Sequence, residues 1–358
     1  MTVIKLFIQK SRRNHWRVLL GAAMVAGIFF FFVQRGQAAE LFFNSSGGAQ
    51  EKAQREAYFN PYEKETGVKV VYTAPCKFAK LKLMVESGNV EWDITELPTR
   101  DKERALEYGY LEPLDWDFID PNNEIPKNVR HKYAFPGSSY STILGYRTTK
   151  YSKENHPRNW KEFWDVKKFP GGRSLRNDPV DNLEMALLAD GVPKEKLYPM
   201  DIDRAFNSLD KIKPHITVWW SVGAQPAQLL ASGEVEFVSA WDGRITAIKK
   251  EKSPVEIEWS EGILKISWYG IPKGAKNKES AMKMLKMMAR GDRQAIYAKI
   301  IGYGGHSKRM LEYLDPTLSS TLSSSPENVK IQVMEDTSGW WLKNVDKVTE
   351  RWHAWMLK

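Results

Sequence analysis

The chain has 358 residues and a formal net charge of +9. Six basic residues and no acidic residue precede Glu40, so the chain from Glu40 onward carries a net charge of 9 − 6 = +3. That charge is too small to indicate a nucleic-acid partner, the single cysteine excludes an internal disulfide, and about 320 residues favour two domains over one.

The first 39 residues have the pattern of an export signal. A basic segment that ends at Arg17 is followed by the uncharged apolar run 18–33 and by small residues at 36–39. This order is typical of a Sec signal peptide, so we expect cleavage near Ala38 or Ala39 and a periplasmic location. An uncleaved membrane anchor is the alternative, but the run is shorter than the ~20 apolar residues that a spanning helix needs.

Strands and helices alternate over residues 41–108. The pattern predicts strands at 41–43, 68–72 and 92–97 and helices at about 50–65, 77–86 and 100–108. Alternation at this spacing is typical of a doubly wound α/β domain with a parallel sheet. Ligands of such sheets bind at the carboxyl ends of the strands, where Thr95 lies.

A Ser/Gly loop, Ser45-Ser46-Gly47-Gly48, joins the first strand to the first helix. A glycine-rich loop before a helix N-terminus presents free backbone N–H groups to an anion. The alternative is an ordinary tight turn in which a serine caps the helix.

Two polar strands are expected to cross between the domains. The first, 137–146, contains Ser139, and the second, 263–271, contains Ser267 and Trp268. The small hydroxyl side chains of the first crossing line a cleft or simply satisfy backbone groups in a linker. A separate short strand is expected to end at Glu258–Trp259.

The second domain contributes further candidates. A strand ends at Arg176, and the next helix begins at Pro179 with Asp181 in its first turn, where the helix dipole keeps a carboxylate ionised. Trp219 and Trp220 are adjacent on a strand, so only one of them can face a cleft.

The stretch Trp241-Asp242-Gly243-Arg244 follows the apolar strand 236–240. Trp241 is suited to enclose a ligand, and Asp242 is suited to hold a cationic nitrogen. An ordinary strand-to-loop corner with a surface ion pair is the alternative.

Three segments together resemble the extracellular solute-binding proteins of ABC importers, in the polyamine (spermidine/putrescine)-binding branch. These segments are 61–70, the stretch from 233–235 to 241–243, and 271–278. The resemblance implies a type II periplasmic binding protein with two doubly wound α/β lobes joined by crossing strands. It implies lobe 1 at 40–141 with about 266–313, and lobe 2 at 142–265 with about 314–358, after a signal peptide at 1–39.

The resemblance also implies how a ligand is held. In polyamine binders aromatic side chains enclose the carbon chain and carboxylates bind the amines. Trp241 matches the cleft tryptophan of that branch, and Asp181 falls where the branch has a cleft glutamate. Ser267, however, falls where the central cleft aspartate would be, and Ser45–Gly48 replaces a loop with aromatics and an acid.

Two ligand classes therefore stay open, a polyamine such as putrescine and a zwitterion such as a γ-amino acid. In both cases Asp181 and Asp242 are expected to hold the ammonium group. A carboxylate would meet the Ser/Gly loop, with Arg176 or Arg244 as candidate partners. The hinge is expected near Tyr140–Thr142 and Lys265–Trp268.

We expect a monomeric receptor that delivers its ligand to ABC permease subunits and that has no catalytic turnover, cofactor, metal or nucleic acid. No nucleophile elbow, phosphate-binding loop or metal-ligand spacing is present in the sequence. The alternatives are an exported α/β hydrolase-type enzyme and a ferric or anion-binding receptor on the same fold.

Overall fold

The structure is a computed structural model that describes residues 39–336 and 339–358. The predicted signal peptide therefore lies outside the described residues, apart from Ala39. Within the described ranges, none of the helices has the length and apolar character needed to cross a membrane.

A single sheet of nine strands runs through the molecule in the order β2-β1-β3-β8-β4-β7-β5-β6, with β9 paired to β8. The strands are β1 Glu40–Asn44, β2 Lys69–Thr73, β3 Ile94–Pro98, β4 Phe135–Arg147, β5 Arg173–Arg176, β6 Ile216–Trp220, β7 Phe237–Trp241, β8 Val255–Gly270 and β9 Val333–Met334. β1 runs parallel to β2 and β3, and β5 runs parallel to β6 and β7. β4 and β8 run antiparallel between these two groups and join them.

Helices cover both groups of parallel strands. They are α1 Ala49–Gln54, α2 Asn60–Thr66, α3 Phe78–Ser87, α4 Thr99–Glu107, α5 Trp116–Ile119, α6 Trp160–Trp164, α7 Pro179–Ala189, α8 Ile202–Ile212, α9 Gln225–Ser232, α10 Asp242–Lys250, α11 Lys278–Ala289, α12 Gly291–Ile301, α13 Pro316–Ser320, α14 Pro326–Ile331 and α15 Trp340–Met356. A π-helical turn, Arg55–Phe59, connects α1 to α2.

Two large cores lie on the two sides of the crossing strands. One core packs α1, α2, α11 and α12 around Phe43, Phe59 and Tyr269. The other packs α6, α7, α8 and α15 around Trp160 and Phe237. The apolar face of α15, which the sequence places at Trp341, Val345, Val348, Trp352 and Trp355, belongs to this second core.

The expected break between residues 258–259 and 263 is wrong. β8 is one strand of 16 residues that pairs with β4 over almost its whole length. Glu261 has a positive φ of 58°, and the register shifts between Thr142 and Leu144 of β4 at the same level. A local bulge therefore replaces the expected loop, because a bulge bends a strand without ending its pairing.

Arg173 stabilises the second core from inside. It is 1% exposed and donates to the carbonyl oxygens of Phe163 at 2.8 Å, Gly171 at 2.6 Å and Phe169 at 2.5 Å. One guanidinium thus satisfies one carbonyl group of α6 and two of the segment between α6 and β5. β5 is the strand that ends in the candidate site.

We predict that Arg173→Met lowers the free energy of unfolding by about 3 kcal/mol or more, because it leaves buried carbonyl groups without donors. Urea unfolding followed by circular dichroism measures this change. The matched control is Arg55→Met, whose exposed i,i+4 pair with Glu51 should contribute about 0.5 kcal/mol or less. Equal losses in the two variants would contradict the prediction.

Candidate functional site

The ends of several strands meet at the crossing strands. β1 ends at the Ser/Gly loop, β5 ends at Arg176, and β7 ends at Trp241. Trp241 lies directly opposite Thr142 of β4 in the antiparallel ladder. The side chains that follow these strands therefore lie around one region between the two groups of parallel strands, as the sequence predicts for a binding cleft.

Glu96 on β3 organises the Ser/Gly loop. Its Oε2 accepts from the Ser45 hydroxyl at 2.5 Å, and from the Ser46 backbone N–H at 3.0 Å and hydroxyl at 2.9 Å. Its Oε1 accepts from Gln50 Nε2 at 3.0 Å and from the Ser267 hydroxyl. Five donors thus satisfy a carboxylate that is only 6% exposed.

The expectation that this loop leaves its backbone N–H groups free is wrong for its first three residues. The N–H of Ser45 donates to Thr73 O at 3.0 Å, that of Ser46 donates to Glu96, and that of Gly47 donates to Tyr72 Oη at 2.7 Å. The loop is therefore held internally, and only its end, from Gly48 into the first turn of α1, remains for a ligand.

Arg244, in the first turn of α10, approaches that end of the loop. One Nη of Arg244 lies 3.9 Å from the position that a Cβ at Gly48 would occupy. Its Nε is buried, and the described residues offer it no hydrogen-bond acceptor. The described part of the chain thus leaves this guanidinium nitrogen without an acceptor, and the guanidinium lies opposite an exposed glycine.

Gly243 explains how Arg244 reaches this position. A Cβ at Gly243 would lie 2.4 Å from the Tyr303 ring and 2.8 Å from Ile301 O. Only glycine allows the first turn of α10 to pack so closely against the segment that follows α12. The glycine of the Trp241–Arg244 stretch is thus required by packing.

Trp241 is the centre of an aromatic wall. Its ring meets Trp220 edge-on at 5.6 Å and Tyr140 edge-on at 6.4 Å between ring centres. The Arg176 guanidinium lies 5.6 Å from the centre of the Trp241 ring and 3.4 Å from Asp178. Trp241 and Tyr140 are half-buried, so neither residue is fully closed off from solvent.

Asp181 differs from the expected first-turn carboxylate. Its backbone is not helical, with φ 74° and ψ −41°, and the side chain is 2% exposed. Its Oδ2 accepts from Thr142 Oγ1 at 2.8 Å and forms an ion pair with Lys265. The counterion of Asp181 in this structure is therefore Lys265, and the helix dipole does not explain its environment.

Asp242 is fully buried. Its Oδ1 accepts from the Ser141 N–H at 3.0 Å, while Oδ2 has no hydrogen-bond partner in the described part of the chain. Burial raises the pKa of the Asp242 carboxyl to about 7, against the lowering effect of nearby donors. This carboxyl group lies next to crossing strand β4.

The remaining candidates have structural partners. Thr95 donates to Asn44 at 3.0 Å, and the Ser139 hydroxyl lies 3.4 Å from His306 Nε2. Trp219 packs against the tryptophans of α15. Trp268 points away from Ser267, because neighbouring residues of a strand face opposite sides of the sheet, and its indole donates to Thr99 at 3.1 Å within the core beside α4.

The structure brings three further residues into this region that were not among the predicted site residues, namely Tyr140, Lys265 and Glu96. Tyr140 and Lys265 were assigned only to the hinge, although their side chains line the same face of the sheet as Trp241. Glu96 follows Thr95 directly, and the polar end of that strand was the available signal. The partners of Glu96 lie as far as 171 positions away in the chain, and those of Lys265 lie 84 positions away, so these contacts leave no local pattern in the sequence.

The described ranges contain no group of three or more His, Cys, Asp or Glu side chains placed to hold a metal ion. The charged groups of the region are instead paired carboxylates and guanidinium groups. Such an arrangement binds a small charged solute through hydrogen bonds and ion pairs.

The chain is similar in sequence to two sets of proteins over most of its length. A family model described as bacterial extracellular solute-binding protein matches residues 57–326. The gamma-aminobutyric acid-binding protein of Pseudomonas aeruginosa is 34% identical over 338 residues, which are 92% of this chain and 94% of that protein. The spermidine/putrescine-binding periplasmic protein of Escherichia coli is 25% identical over 284 residues, which are 75% of this chain and 80% of that protein.

Solved structures agree with these relatives. An ABC transporter substrate-binding protein from Bradyrhizobium japonicum has a TM-score of 0.83 and 39% identity, covering 89% of this chain and 99% of that one. The Atu4243-GABA receptor has a TM-score of 0.81 and 36% identity, covering 88% and 97%. The predicted two-lobed α/β fold is confirmed, and both predicted ligand classes occur among the relatives.

The buried Asp242 leads to a prediction about pH. The folded-state pKa of about 7 lies above the ordinary value of 3.8, so the folded protein keeps this proton between about pH 4 and 7, where the unfolded chain has lost it. Asp242 should therefore lower stability as the pH rises through that range, by up to about 4 kcal/mol. Asp242→Asn should remove this dependence of stability on pH.

Urea unfolding at pH 5 and pH 8 tests the effect. The difference in stability between Asp242→Asn and the wild type should shift in favour of the variant at pH 8. Glu184 and Glu335, whose pKa values burial also raises to about 7, are present in both proteins and cancel in the comparison. An unchanged difference at the two pH values would contradict the role of Asp242, and Asp203→Asn serves as an exposed control.

Proposed function

The chain belongs to the family of bacterial extracellular solute-binding proteins, and on that premise we propose that its ligand is a small ω-amino acid. Proteins of this family bind small solutes and work with ABC permeases. The finer proposal concerns the choice between the two ligand classes, a zwitterion and a polyamine.

The observation that carries the proposal is the unmatched Arg244. Its guanidinium lies opposite Gly48, and its buried Nε finds no acceptor among the described residues. A carboxylate placed there would satisfy the guanidinium, since Arg binds carboxylates through two parallel hydrogen bonds. A dication such as putrescine would bring a second positive charge to the same place.

The aromatic wall suits the rest of such a ligand. The carbon chain would lie against Trp241 and Tyr140, and the ammonium group would gain from their ring faces. We propose this position for the ammonium because Asp242 is fully buried and Asp181 is paired with Lys265. Two relatives named for γ-aminobutyric acid, one found by sequence and one among the solved structures, support the same ligand class.

Ligand capture would couple to closure of the lobes. We propose a hinge near Tyr140–Thr142 and Lys265–Trp268, where β4 and β8 pair directly. Closure around the ligand excludes water and strengthens each ion pair in the cleft. The lobes would divide as the sequence predicts, at 40–141 with about 266–313 and at 142–265 with about 314–358.

The cellular setting follows the family. Its members are extracellular or periplasmic, and we propose Sec export of this chain with cleavage near Ala38 or Ala39. We also propose a monomeric receptor without turnover, metal or nucleic-acid partner. Detectable chemistry in a turnover assay, or stoichiometric iron in the purified protein, would favour the enzyme or the ferric receptor instead.

A thermal-shift screen of the chain from Glu40 onward tests the ligand class. We expect 4-aminobutyrate to raise Tm by a few degrees, because a ligand at about 100 times its Kd adds about 2.7 kcal/mol. Putrescine and spermidine should produce little change. A shift with the diamines alone would contradict the zwitterion and favour the polyamine.

Arg244→Met tests the carboxylate contact. We expect the affinity for 4-aminobutyrate to fall by about 30- to 1,000-fold, which is about 2–4 kcal/mol for the loss of a charged hydrogen-bonded partner. Isothermal titration calorimetry measures the change. Arg204→Met, which removes a partly exposed guanidinium paired with Asp190, is the matched control and should bind as the wild type does.

Arg244→Lys refines the same test. It keeps the charge and loses the bidentate geometry, so its affinity should lie between those of the wild type and Arg244→Met. Wild-type affinity in Arg244→Met would show that the carboxylate binds elsewhere.

A further inference from the structure

An ion pair between Asp181 and Lys265 lies inside the cleft region. The side chains of Asp181 and Lys265 keep 2% and 8% of their accessible surface. Both hydrogen bonds that Asp181 accepts from side chains go to Oδ2, one from Lys265 Nζ and one from Thr142 Oγ1 at 2.8 Å. Lys265 lies on crossing strand β8 and Asp181 at the start of α7, so the pair connects the crossing strands to the second lobe.

The strand register places this pair beside the aromatic wall. Lys265 lies directly opposite Tyr140 in the β4–β8 ladder, and Thr142 lies directly opposite Trp241 in the β4–β7 ladder. Directly opposed residues of antiparallel strands point to the same face. Lys265 Nζ lies 5.9 Å from the centre of the Tyr140 ring. The ion pair therefore continues the surface formed by Tyr140 and Trp241.

The other carboxylates nearby also have partners within the protein. Glu96 accepts five hydrogen bonds. Glu335 accepts from the Thr99 hydroxyl at 2.5 Å and from the Ile266 N–H at 2.9 Å. Asp178 pairs with Arg176. Around the cleft, these three carboxylates are therefore already satisfied, whereas Arg244 Nε has no acceptor among the described residues. Asp242 also has an oxygen without a partner there, Oδ2, but its side chain is fully buried.

We propose that Lys265 is a specificity-determining residue that makes the ligand's amino group dispensable. By serving as the counterion of Asp181, it removes the carboxylate that would otherwise select an ammonium group. The site would then accept small carboxylates with an uncharged polar group at the far end, such as ω-hydroxy acids, nearly as well as ω-amino acids. This inference rests on the proposed function and names the wider ligand class of the same site.

The physical reason is the cancellation of charge. An ammonium group near the pair is attracted by Asp181 and repelled by Lys265 at comparable distances, so its net interaction is small. An unpaired buried carboxylate would instead favour an ammonium strongly over a hydroxyl group. Lys265 is attached to the same chain, so it fills this role without the loss of translational freedom that a ligand ammonium incurs.

Three four-carbon ligands and three variants test the inference by isothermal titration calorimetry. The ligands are 4-aminobutyrate, 4-hydroxybutyrate and succinate, and the variants are Lys265→Met, Asp181→Asn and the double variant Asp181→Asn/Lys265→Met. The wild type should bind the first two ligands within about tenfold of each other. Lys265→Met should prefer 4-aminobutyrate by about 100-fold or more, because it frees Asp181.

The other two variants are the matched controls. Asp181→Asn frees the Lys265 ammonium and should improve succinate binding by about tenfold or more. The double variant removes both charges. It should therefore bind 4-hydroxybutyrate nearly as well as 4-aminobutyrate, as the wild type does. Circular dichroism checks that each variant is folded. If Lys265→Met does not fold, the response of Asp181→Asn to succinate decides the test.

The possible failures are distinct. A wild type that prefers 4-aminobutyrate over 4-hydroxybutyrate by more than about 100-fold overturns the inference and leaves the proposed function intact. The inference is also overturned if a folded Lys265→Met shows no increased preference for 4-aminobutyrate. The same holds if the affinity of Asp181→Asn for succinate does not increase. A wild type that binds none of the three ligands contradicts the proposed function itself.

Discussion

The pairing of β4 with β8 is the constraint on which the rest of the structure depends. These two long antiparallel strands lie between the two groups of parallel strands and connect them in one sheet. Their pleat sends alternate side chains to opposite faces, so Tyr140 and Lys265 reach the cleft region while Trp268 enters a core. A shift of one residue in this register would exchange the two sets and remove the site.

Charge matching is the second organising feature. Burying a carboxylate without partners costs free energy, and two buried carboxylates have partners within the protein. Glu96 accepts hydrogen bonds from neutral donors, and Asp181 forms an ion pair with Lys265. A buried charge needs a partner or several hydrogen bonds, and both solutions occur here within one region. Arg244, by contrast, has a buried Nε that finds no acceptor among the described residues, and this is why we propose it as the partner of a ligand carboxylate.

The Ser/Gly loop shows that one motif can have two purposes. Its serines hold Glu96, which fixes the start of α1, and its glycines adopt positive φ angles of 80° and 64°. The loop resembles an anion-binding loop because both kinds of loop need small residues before a helix. Here most of its donors form hydrogen bonds within the protein, and Gly48, opposite Arg244, remains exposed.

The resemblance of the sequence to a known family implied the two-lobed fold. The residues by themselves determined the alternation of strands and helices and the positions of Trp241 and Arg244 after a buried strand. These features have local causes, namely hydrophobic periodicity, glycines and helix caps, which can be read from neighbouring residues. The partners of the charged groups could not be read in this way. Lys265 and Asp181 are 84 positions apart, and Glu96 and Ser267 are 171 positions apart. Only the tertiary structure decided which carboxylates are satisfied internally, because strand register and lobe packing bring these distant residues together.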